Sequence, residues 1–514
     1  MQAVDTNVTA TSRQPDYRPQ YHFSAERHWI NDPNGLVWID GLYHLFYQCN
    51  PFGTRWGNMS WGHAVSRDLV TWQEQPIALP QRELAERTEA IFSGCCVLDK
   101  DNVSGLGEAG QQPLLAFYTS HYSTAPKPMG RQAQSLAYSL DAGDSWQFYG
   151  GVPLIHLHQD NAQGYDADEF RDPKVFYHAA SGYWIMVLVL AKDRKVIFYR
   201  SRNLLDWEAV STFSDPGNNP GDLWEVPDLV EMRVGNSDDT RWVLLLSINT
   251  EGAHRQAGST QHYFVGDFDG REFHFNAADN PPVRDGAHPG YNRLDWGRDY
   301  YAAVSFHNEP GSEPLVIAWM NNWQYANDIP HQGFRGQMTL ARRLHLRQQD
   351  GQYRPVSEPV RPRLQNETER ALVPDHALGH REAMQVRLPA TTQRLSLNTC
   401  GFSDGELELY LHFGEDILAV HLDARRGIAR LDRSGLTGSH LPAQFAACDS
   451  AHELNLADAS LVIYLDRSSV EVFGREGLWS ITQQIFPSAP LGAVSVRHTQ
   501  STPLQVQLSA LQTG

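Results

Sequence analysis

The chain has 514 residues, 41% of them hydrophobic and 11% aromatic, which is enough apolar mass for a packed core and excludes wholesale disorder. At roughly 100–200 residues per domain, this length suits two or three domains. Its 42 basic and 60 acidic residues leave a formal charge of −18; this argues against nucleic acid or an anionic membrane surface as partner, whereas a neutral substrate meets no repulsion.

Residues 1–21 are polar and lack a basic start followed by an apolar core, so they do not read as a signal peptide. No run approaches the roughly 18 apolar residues of a membrane span. The expectation is a cytoplasmic protein or a processed secreted form. Short runs rich in Val, Ile, Tyr, Phe and Trp then recur at 42–48, 114–120, 183–191, 195–201, 242–248 and 315–320, bounded by Gly, Pro, Asn and Asp. Strands at this density predict an all-β sandwich, barrel or propeller. The exception is 82–89, a charged segment read as a helical turn or a loop.

A weak repeat runs through these strands. Ala64-Val-Ser-Arg-Asp-Leu-Val-Thr-Trp72, Ala137-Tyr-Ser-Leu-Asp-Ala-Gly-Asp-Ser-Trp146 and Tyr199-Arg-Ser-Arg-Asn-Leu-Leu-Asp-Trp207 share a strand, a polar turn and a Trp. Phe264-Val-Gly-Asp-Phe-Asp-Gly-Arg-Glu-Phe273 follows the plan with Phe in place of Trp. A period of roughly 60–75 residues fits four strands plus long loops. Each turn is expected to join the two outer strands of a unit, with the aromatic packing between units. Residues 17–350 therefore read as a five-bladed β-propeller. Pro355, Pro359, Pro362 and Pro374 among charged residues mark 351–380 as a linker. Strand patterns without the Trp repeat return in 381–514, at 406–413, 417–422, 429–432, 460–464 and 469–473, and predict a β-sandwich. Leu461-Val-Ile-Tyr-Leu465 is apolar throughout and suits a strand buried on both faces.

The five Cys are odd in number and form no CxxC, which argues against both a disulfide framework and a zinc site. His156-Leu-His158 alternates as a strand does, and no metal or cofactor is expected. Gly105-Leu-Gly-Glu-Ala-Gly110 fits GxGxxG, but Gln111-Gln-Pro113 follows where a helix should continue.

Three acidic residues stand out. Asp32, in Trp29-Ile-Asn-Asp-Pro-Asn-Gly35, precedes Pro33, which pushes it toward an extended backbone and holds it rigidly, as a nucleophile requires. Asp172, in Phe170-Arg-Asp-Pro-Lys-Val-Phe176, repeats the arrangement with Arg171 as an available charge partner. Glu225 lies between Trp224 and Val226; an apolar shell there favours the protonated carboxylic acid, the form a general acid needs. Singly, these segments also read as an ordinary turn, an ion pair and an exposed strand edge. In a propeller, however, the innermost strands converge, so all three carboxylates can meet in one funnel. A pair of carboxylates flanking an acetal is the machinery of glycoside hydrolysis. Trp29, Trp56, Trp61, Phe92 and Trp224 are candidates for stacking on sugar faces, and Asn31, Gln48, Ser93 and Arg171 for binding hydroxyls.

At this point the chain resembles glycoside hydrolase family 32, the β-fructofuranosidases. Trp29–Gly35 matches the family's sucrose-binding box, and Phe92-Ser-Gly94, Phe170-Arg-Asp-Pro173 and Trp224-Glu-Val-Pro-Asp228 match its other signatures. Trp56-Gly-Asn-Met-Ser-Trp-Gly-His63 and Trp319-Met-Asn-Asn-Trp-Gln-Tyr325 look more like bacterial levanases and exo-inulinases than plant invertases. Asp466-Arg-Ser-Ser-Val-Glu-Val-Phe473 is similar to the family's C-terminal sandwich signature. The resemblance implies a retaining exo-β-fructosidase acting on terminal β-D-fructofuranosyl units of sucrose or of fructans such as levan and inulin. Asp32 would be its nucleophile, Glu225 its acid/base and Asp172 its transition-state stabiliser. Asn31, Gln48, Trp56, Phe92, Ser93 and Arg171 would line the fructose subsite, joined by one Trp of the 319–325 segment, Trp319 or Trp323. The family usually has Cys after the acid/base Glu; here it is Val226, which keeps the pocket apolar and puts the pH limb set by Glu225 in question. The alternatives are a fructosyltransferase using the same carboxylates, an inverting pentosidase and a non-catalytic sugar-binding propeller. The partner expected is a small neutral sugar or fructan.

Overall fold

The computed structural model describes residues 16–214, 222–250, 258–280, 292–349, 351–364, 366–437 and 441–513. Residues 1–15, which carry most of the leader reading, lie outside them. Each repeat turn joins two outer strands of a sheet: Ser60–Ser66 to Trp72–Leu79, Met129–Ser139 to Gln147–Phe148, Lys195–Ser201 to Glu208–Phe213, and Ser259–Phe268 to Phe273–Phe275. In the first three turns, the serine ending the strand caps the turn. Ser66 Oγ accepts from Leu69 N at 2.9 Å, Ser139 Oγ from Gly143 N at 2.8 Å and Ser201 Oγ from Asn203 N at 3.2 Å. The residue three before each Trp then takes a left-handed backbone, with φ 64° at Leu69, 98° at Gly143 and 64° at Leu204. The indole N–H donates to that residue's carbonyl, at 3.2, 3.1 and 3.1 Å for Trp72, Trp146 and Trp207. The Trp thus both closes the turn and packs its ring at a sheet edge. In the fourth turn Gly270 holds the left-handed position, and Phe273 supplies only the ring.

Among the described residues, five sheets precede the sandwich. Their inner strands are His28–Ile39, Thr88–Leu98, Phe170–His178, Asp222–Arg233 and Tyr301–Ser305. Side chains alternate across a strand, so each sheet presents one apolar face to the sheet before it and one to the sheet after it. Val37 and Phe46 of the first sheet pack with Ile91 and Leu114 of the second. Val97 and Leu115 pack with Phe170 and Leu188 of the third, and Val187 with Trp224 and Leu244 of the fourth. Val230 and Val243 pack with Ala303 and Val316 of the fifth, and Tyr301 and Ile317 return to Trp29 and Leu45. The cycle is also closed by backbone: Phe334–Arg335 pairs in parallel with His28 and Trp29, and His307 exchanges hydrogen bonds with Leu36 and Trp38. This is a β-propeller.

Two six-stranded sheets follow and form a β-sandwich. One contains Glu367–Leu378, Leu504–Thr513, Thr392–Cys400, Ser460–Asp466, Ser469–Gly474 and Trp479–Gln484; the other contains Ala383–Arg387, Ala493–His498, Glu406–Phe413, Asp416–Asp423, Ile428–Asp432 and Cys448–Ala451. The apolar run at 461–465 is buried on both faces. Leu461, Ile463 and Leu465 enter the sandwich core, while Val462 and Tyr464 face Tyr21 and Leu340 of the propeller side.

Two expectations need correction. The segment 351–380 carries strands at both ends, Gln352–Pro359 in the fifth propeller sheet and Glu367–Leu378 in the sandwich. Its prolines misled because both are edge strands, where a missing N–H costs no ladder bond, and Pro374 falls where the register of Glu367–Leu378 shifts. The charged segment at 82–89 contains a short strand, Arg82–Glu83, paired with Thr88 and Glu89. Cys95 and Cys96 face opposite cores.

Candidate active site

Each of the five inner strands has a register shift close to its start: Ile30/Pro33, Phe92/Gly94, Arg171/Lys174, Glu225/Asp228 and Tyr301/Val304. A β-bulge adds a residue, bends its strand and re-aims the side chains around it. Asp32, Ser93, Asp172, Val226 and Ala302 occupy these irregularities. Pro33, Pro173 and Pro227 follow three of them, and a proline at a bulge leaves no donor unpaired. Asp172 departs from the extended backbone expected before Pro, with φ 62°; Val226 and Ala302 are likewise positive, at 48° and 55°. A positive φ at a β-branched Val is an outlier that its surroundings must impose.

Neighbouring strands supply that constraint. Thr119 Oγ1 accepts from Asp172 N at 2.9 Å, and the Val226 N–H donates to Asp172 Oδ2 at 2.9 Å. Ser247 Oγ accepts from Ala302 N at 3.1 Å, and Gln261 Oε1 accepts from Ala303 N at 3.0 Å and from Ser247 Oγ at 2.8 Å. These groups come from strands of other segments of the chain, so no local pattern around the acids announces them.

The three acids are brought to one place. Ser93 Oγ donates to Asp32 Oδ2 at 2.6 Å and Asn31 Nδ2 to Oδ1 at 3.1 Å; Asn31 is itself fixed by the Trp29 indole N–H at 2.7 Å. Burial outweighs these hydrogen bonds, and with the nearby charge of Glu225 it pushes Asp32 up to about 6. Burial also dominates at Asp172, where Glu225 and Asp32 add to it against Arg171, and its carboxyl rises to about 7. Arg171 lies 3.7 Å from Asp172 and 3.2 Å from Glu225, and also pairs with Glu169.

Glu225 is not in the apolar shell expected from Trp224 and Val226, because those side chains point away into the cores. Its Oε1 faces Arg171, and its Oε2 accepts from the Tyr301 hydroxyl. Arginine can only donate whereas a phenol can also accept, so Oε2 is the oxygen able to carry a proton without losing its partner. Beyond Asp172 the axis is filled by Lys174, whose Nζ bonds the carbonyl and hydroxyl oxygens of Ser305 at 2.7 and 2.9 Å and lies 3.0 Å from Asp228.

The aromatic candidates separate sharply. Trp29, Trp61, Trp224 and Trp319 are fully buried and present no face to a sugar; they are core, and Trp319 lies against Trp29 and Trp323. Trp323 is only partly buried and stacks on Trp29 with ring centroids 5.9 Å apart. Trp56 is 45% exposed and meets Phe92 edge-on, while Phe92 stacks flat on His121 at 4.4 Å. Gln48 is buried and spends its amide on the Ile91 carbonyl at 3.0 Å, bracing the second inner strand. No cluster of three or more metal-ligating side chains occurs among the described residues, and no helix among them is long and apolar enough to cross a membrane.

Comparison with known proteins agrees with this geometry. Residues 22–359 match the Glycosyl hydrolases family 32 N-terminal domain, and 376–512 match the Glycosyl hydrolases family 32 C terminal. The chain is 38% identical over 502 residues to an extracellular exo-inulinase of Aspergillus niger, covering 92% of this chain and 90% of that protein. It is 37% identical over 514 residues to a levanase of Bacillus subtilis, covering 95% and 71%. The crystal structure of exo-inulinase from Aspergillus awamori superposes with a TM-score of 0.86 at 33% identity, covering 98% of this chain and 99% of that one. A propeller with acids gathered at the starts of its inner strands, a sandwich behind it and both halves matched in order together place this chain in glycosyl hydrolase family 32.

Proposed function

We propose that this glycoside hydrolase is a retaining exo-β-fructosidase releasing terminal β-D-fructofuranosyl units from fructans and sucrose. One observation carries the reading. Asp172 and Glu225, from adjacent sheets, share the Arg171 guanidinium, and Asp32, from a third sheet, lies close enough for the charge of Glu225 to raise its pKa. The five sheets are read as five blades around that cluster. The names of the Aspergillus and Bacillus relatives support the substrate class, and the extracellular relative favours an exported enzyme.

In this mechanism the Asp32 carboxylate attacks the anomeric carbon of the terminal fructosyl unit. The bond from that carbon to the glycosidic oxygen breaks as Glu225 gives the oxygen its proton. Glu225 then takes a proton from water, the oxygen of that water attacks the same carbon, and Asp32 leaves as carboxylate. Asp172, held by Arg171 and the Val226 N–H, binds fructose hydroxyls more tightly as the ring gains positive charge. Trp56, Phe92 and Trp323 supply the partly exposed rings of the subsite.

The test is hydrolysis of sucrose, inulin and levan, with chromatography of early products and NMR of the first anomer released. Asp32→Asn and Glu225→Gln are each expected to lower turnover by at least about 10³-fold. Near-normal sucrose and fructan hydrolysis by either variant, or release of the inverted anomer, would remove the assignment. A high share of transfer products from concentrated sucrose would identify a fructosyltransferase instead.

A further inference from the structure

The inner strands start at the end of the propeller that holds the acids. Because neighbouring strands run antiparallel, the loops joining second to third strands emerge at that same end. In the first sheet this loop spans 51–59, between Leu42–Asn50 and Ser60–Ser66, directly beyond the pairing of Trp29 with Asn50. It carries two exposed aromatics: Trp56 and, earlier in the same loop, Phe52, which is 76% exposed.

An exposed phenylalanine at a loop tip would ordinarily be unremarked, but this loop is braced on every side. Asn50 accepts from Phe52 N at 3.0 Å and donates to the Arg55 carbonyl at 2.8 Å. The Gly53 carbonyl accepts from Trp29 N at 2.9 Å, and the Thr54 carbonyl from Arg335 at 2.9 Å. Trp56 N donates to Asn327 at 3.0 Å, and Arg55 pairs with Asp328 at 2.9 Å, both in the loop at the same end of the fifth sheet. A backbone held this firmly presents the ring with little left to lose in ordering it. A rigid aromatic that stays in water in the free protein is suited to the apolar face of a sugar.

We propose that Phe52 is a specificity-determining platform on the rim, stacking on the units of a fructan chain beyond the terminal fructose and favouring oligomeric over disaccharide substrate. Sucrose, with one unit past the scissile bond, ends too early to use it; a chain of three or more units reaches it. This inference rests on the exo-fructosidase reading above and assigns the ring a share in substrate selection, not in the chemistry.

The experiment compares kcat/KM for sucrose with that for short fructans of three to five units, of both inulin and levan linkage, in wild type, Phe52→Ala, Phe52→Leu and Phe52→Trp. Ile77→Ala serves as a control, an apolar residue that is also exposed, at 40%, on the outermost strand of the same sheet. Phe52→Ala and Phe52→Leu are expected to lose about tenfold on the oligomers of at least one linkage, about 1.4 kcal/mol, chiefly in KM, with sucrose unchanged. Phe52→Trp restores the oligomer rates, and Ile77→Ala changes neither. Equal loss on sucrose and oligomers, or no loss on oligomers of either linkage, would overturn the proposal. If wild type cleaves none of these fructosides, it is the exo-fructosidase reading that falls.

Discussion

The acid cluster and the junction between propeller and sandwich are built from the same residue types and behave in opposite ways. At the junction, Arg342 is fully buried between Asp295, at 2.8 Å, and Glu471, while His22 lies 2.9 Å from Asp466 and 2.8 Å from Glu471. Burial pushes Glu471 and Asp466 up, but Arg342 and His22 outweigh it and both carboxyls are lowered. Burial likewise works against His22, yet its two carboxylate partners raise it to about 9. In the acid cluster, Asp32 and Asp172 are also buried, but Arg171 must serve Glu169, Asp172 and Glu225 together, and both aspartates are raised. Burial alone therefore sets no direction; the ratio of cations to carboxylates does. One region is matched for cohesion, the other left short of positive charge for chemistry.

The sharpest way to break this contrast is to remove each central arginine. Arg171→Met is expected to cut kcat/KM by about 10³-fold, since it strips the cluster of its shared donor. Arg342→Met is expected to cost about 3–5 kcal/mol in denaturant unfolding by leaving two carboxylates buried without it, while turnover of the folded fraction stays near wild type. Similar losses of both stability and turnover in the two variants would erase the distinction.

A smaller effect separates the regions by pH. Asp32 and Asp172 bind protons more tightly folded than unfolded, so their ionisation costs stability as pH rises from about 4 through about 6 and 7. Asp32→Asn is therefore expected to raise the unfolding free energy at pH 8, on the order of 1 kcal/mol, with little change at pH 4. The lowered Asp466 and Glu471 stabilise above the ordinary carboxyl range, and that contribution is lost as pH falls through their folded values. The raised His22 contributes fully below about 6.5, and its contribution disappears as pH rises through about 9. Asp466→Asn is accordingly expected to destabilise at pH 7. Urea unfolding of both variants at several pH values checks the opposite signs.

The smallest expected effect is that of Val226→Cys. The exchange removes a β-branched side chain from a positive φ next to Glu225 in the chain, so it acts on Glu225 through the backbone that places it. Turnover should survive while the pH–rate profile shifts; superimposable profiles would show that this position does not tune the acid/base group proposed at Glu225.

Much of this was legible in the chain because local chemistry announced it. The Ser-capped turns closed by Trp72, Trp146 and Trp207 mark the sheets, and prolines after Asp32 and Asp172 mark the strand irregularities. Burial on a particular face was not legible. Trp29 and Trp224 stand near or next to the acids in sequence and, like Trp61, read as sugar contacts, yet alternation and bulging turn all three into the cores. Tyr301 and Arg171, which enclose Glu225, come from two other sheets, so no reading of the Glu225 segment alone could find that its surroundings are polar. The prolines near 355–374 misled for a related reason: an edge strand tolerates what an inner strand does not, and a sequence does not say which strand is the edge.

The five irregularities near the strand starts also limit how this enzyme can change. Side chains in a strand alternate with a period of two, so one added residue reverses parity downstream. Deleting a single residue at any of these points would exchange the residues facing the preceding sheet with those facing the following one along the rest of that strand. The inner strands thus tolerate an exchange of side chain better than a change of length, which the rim loops can absorb.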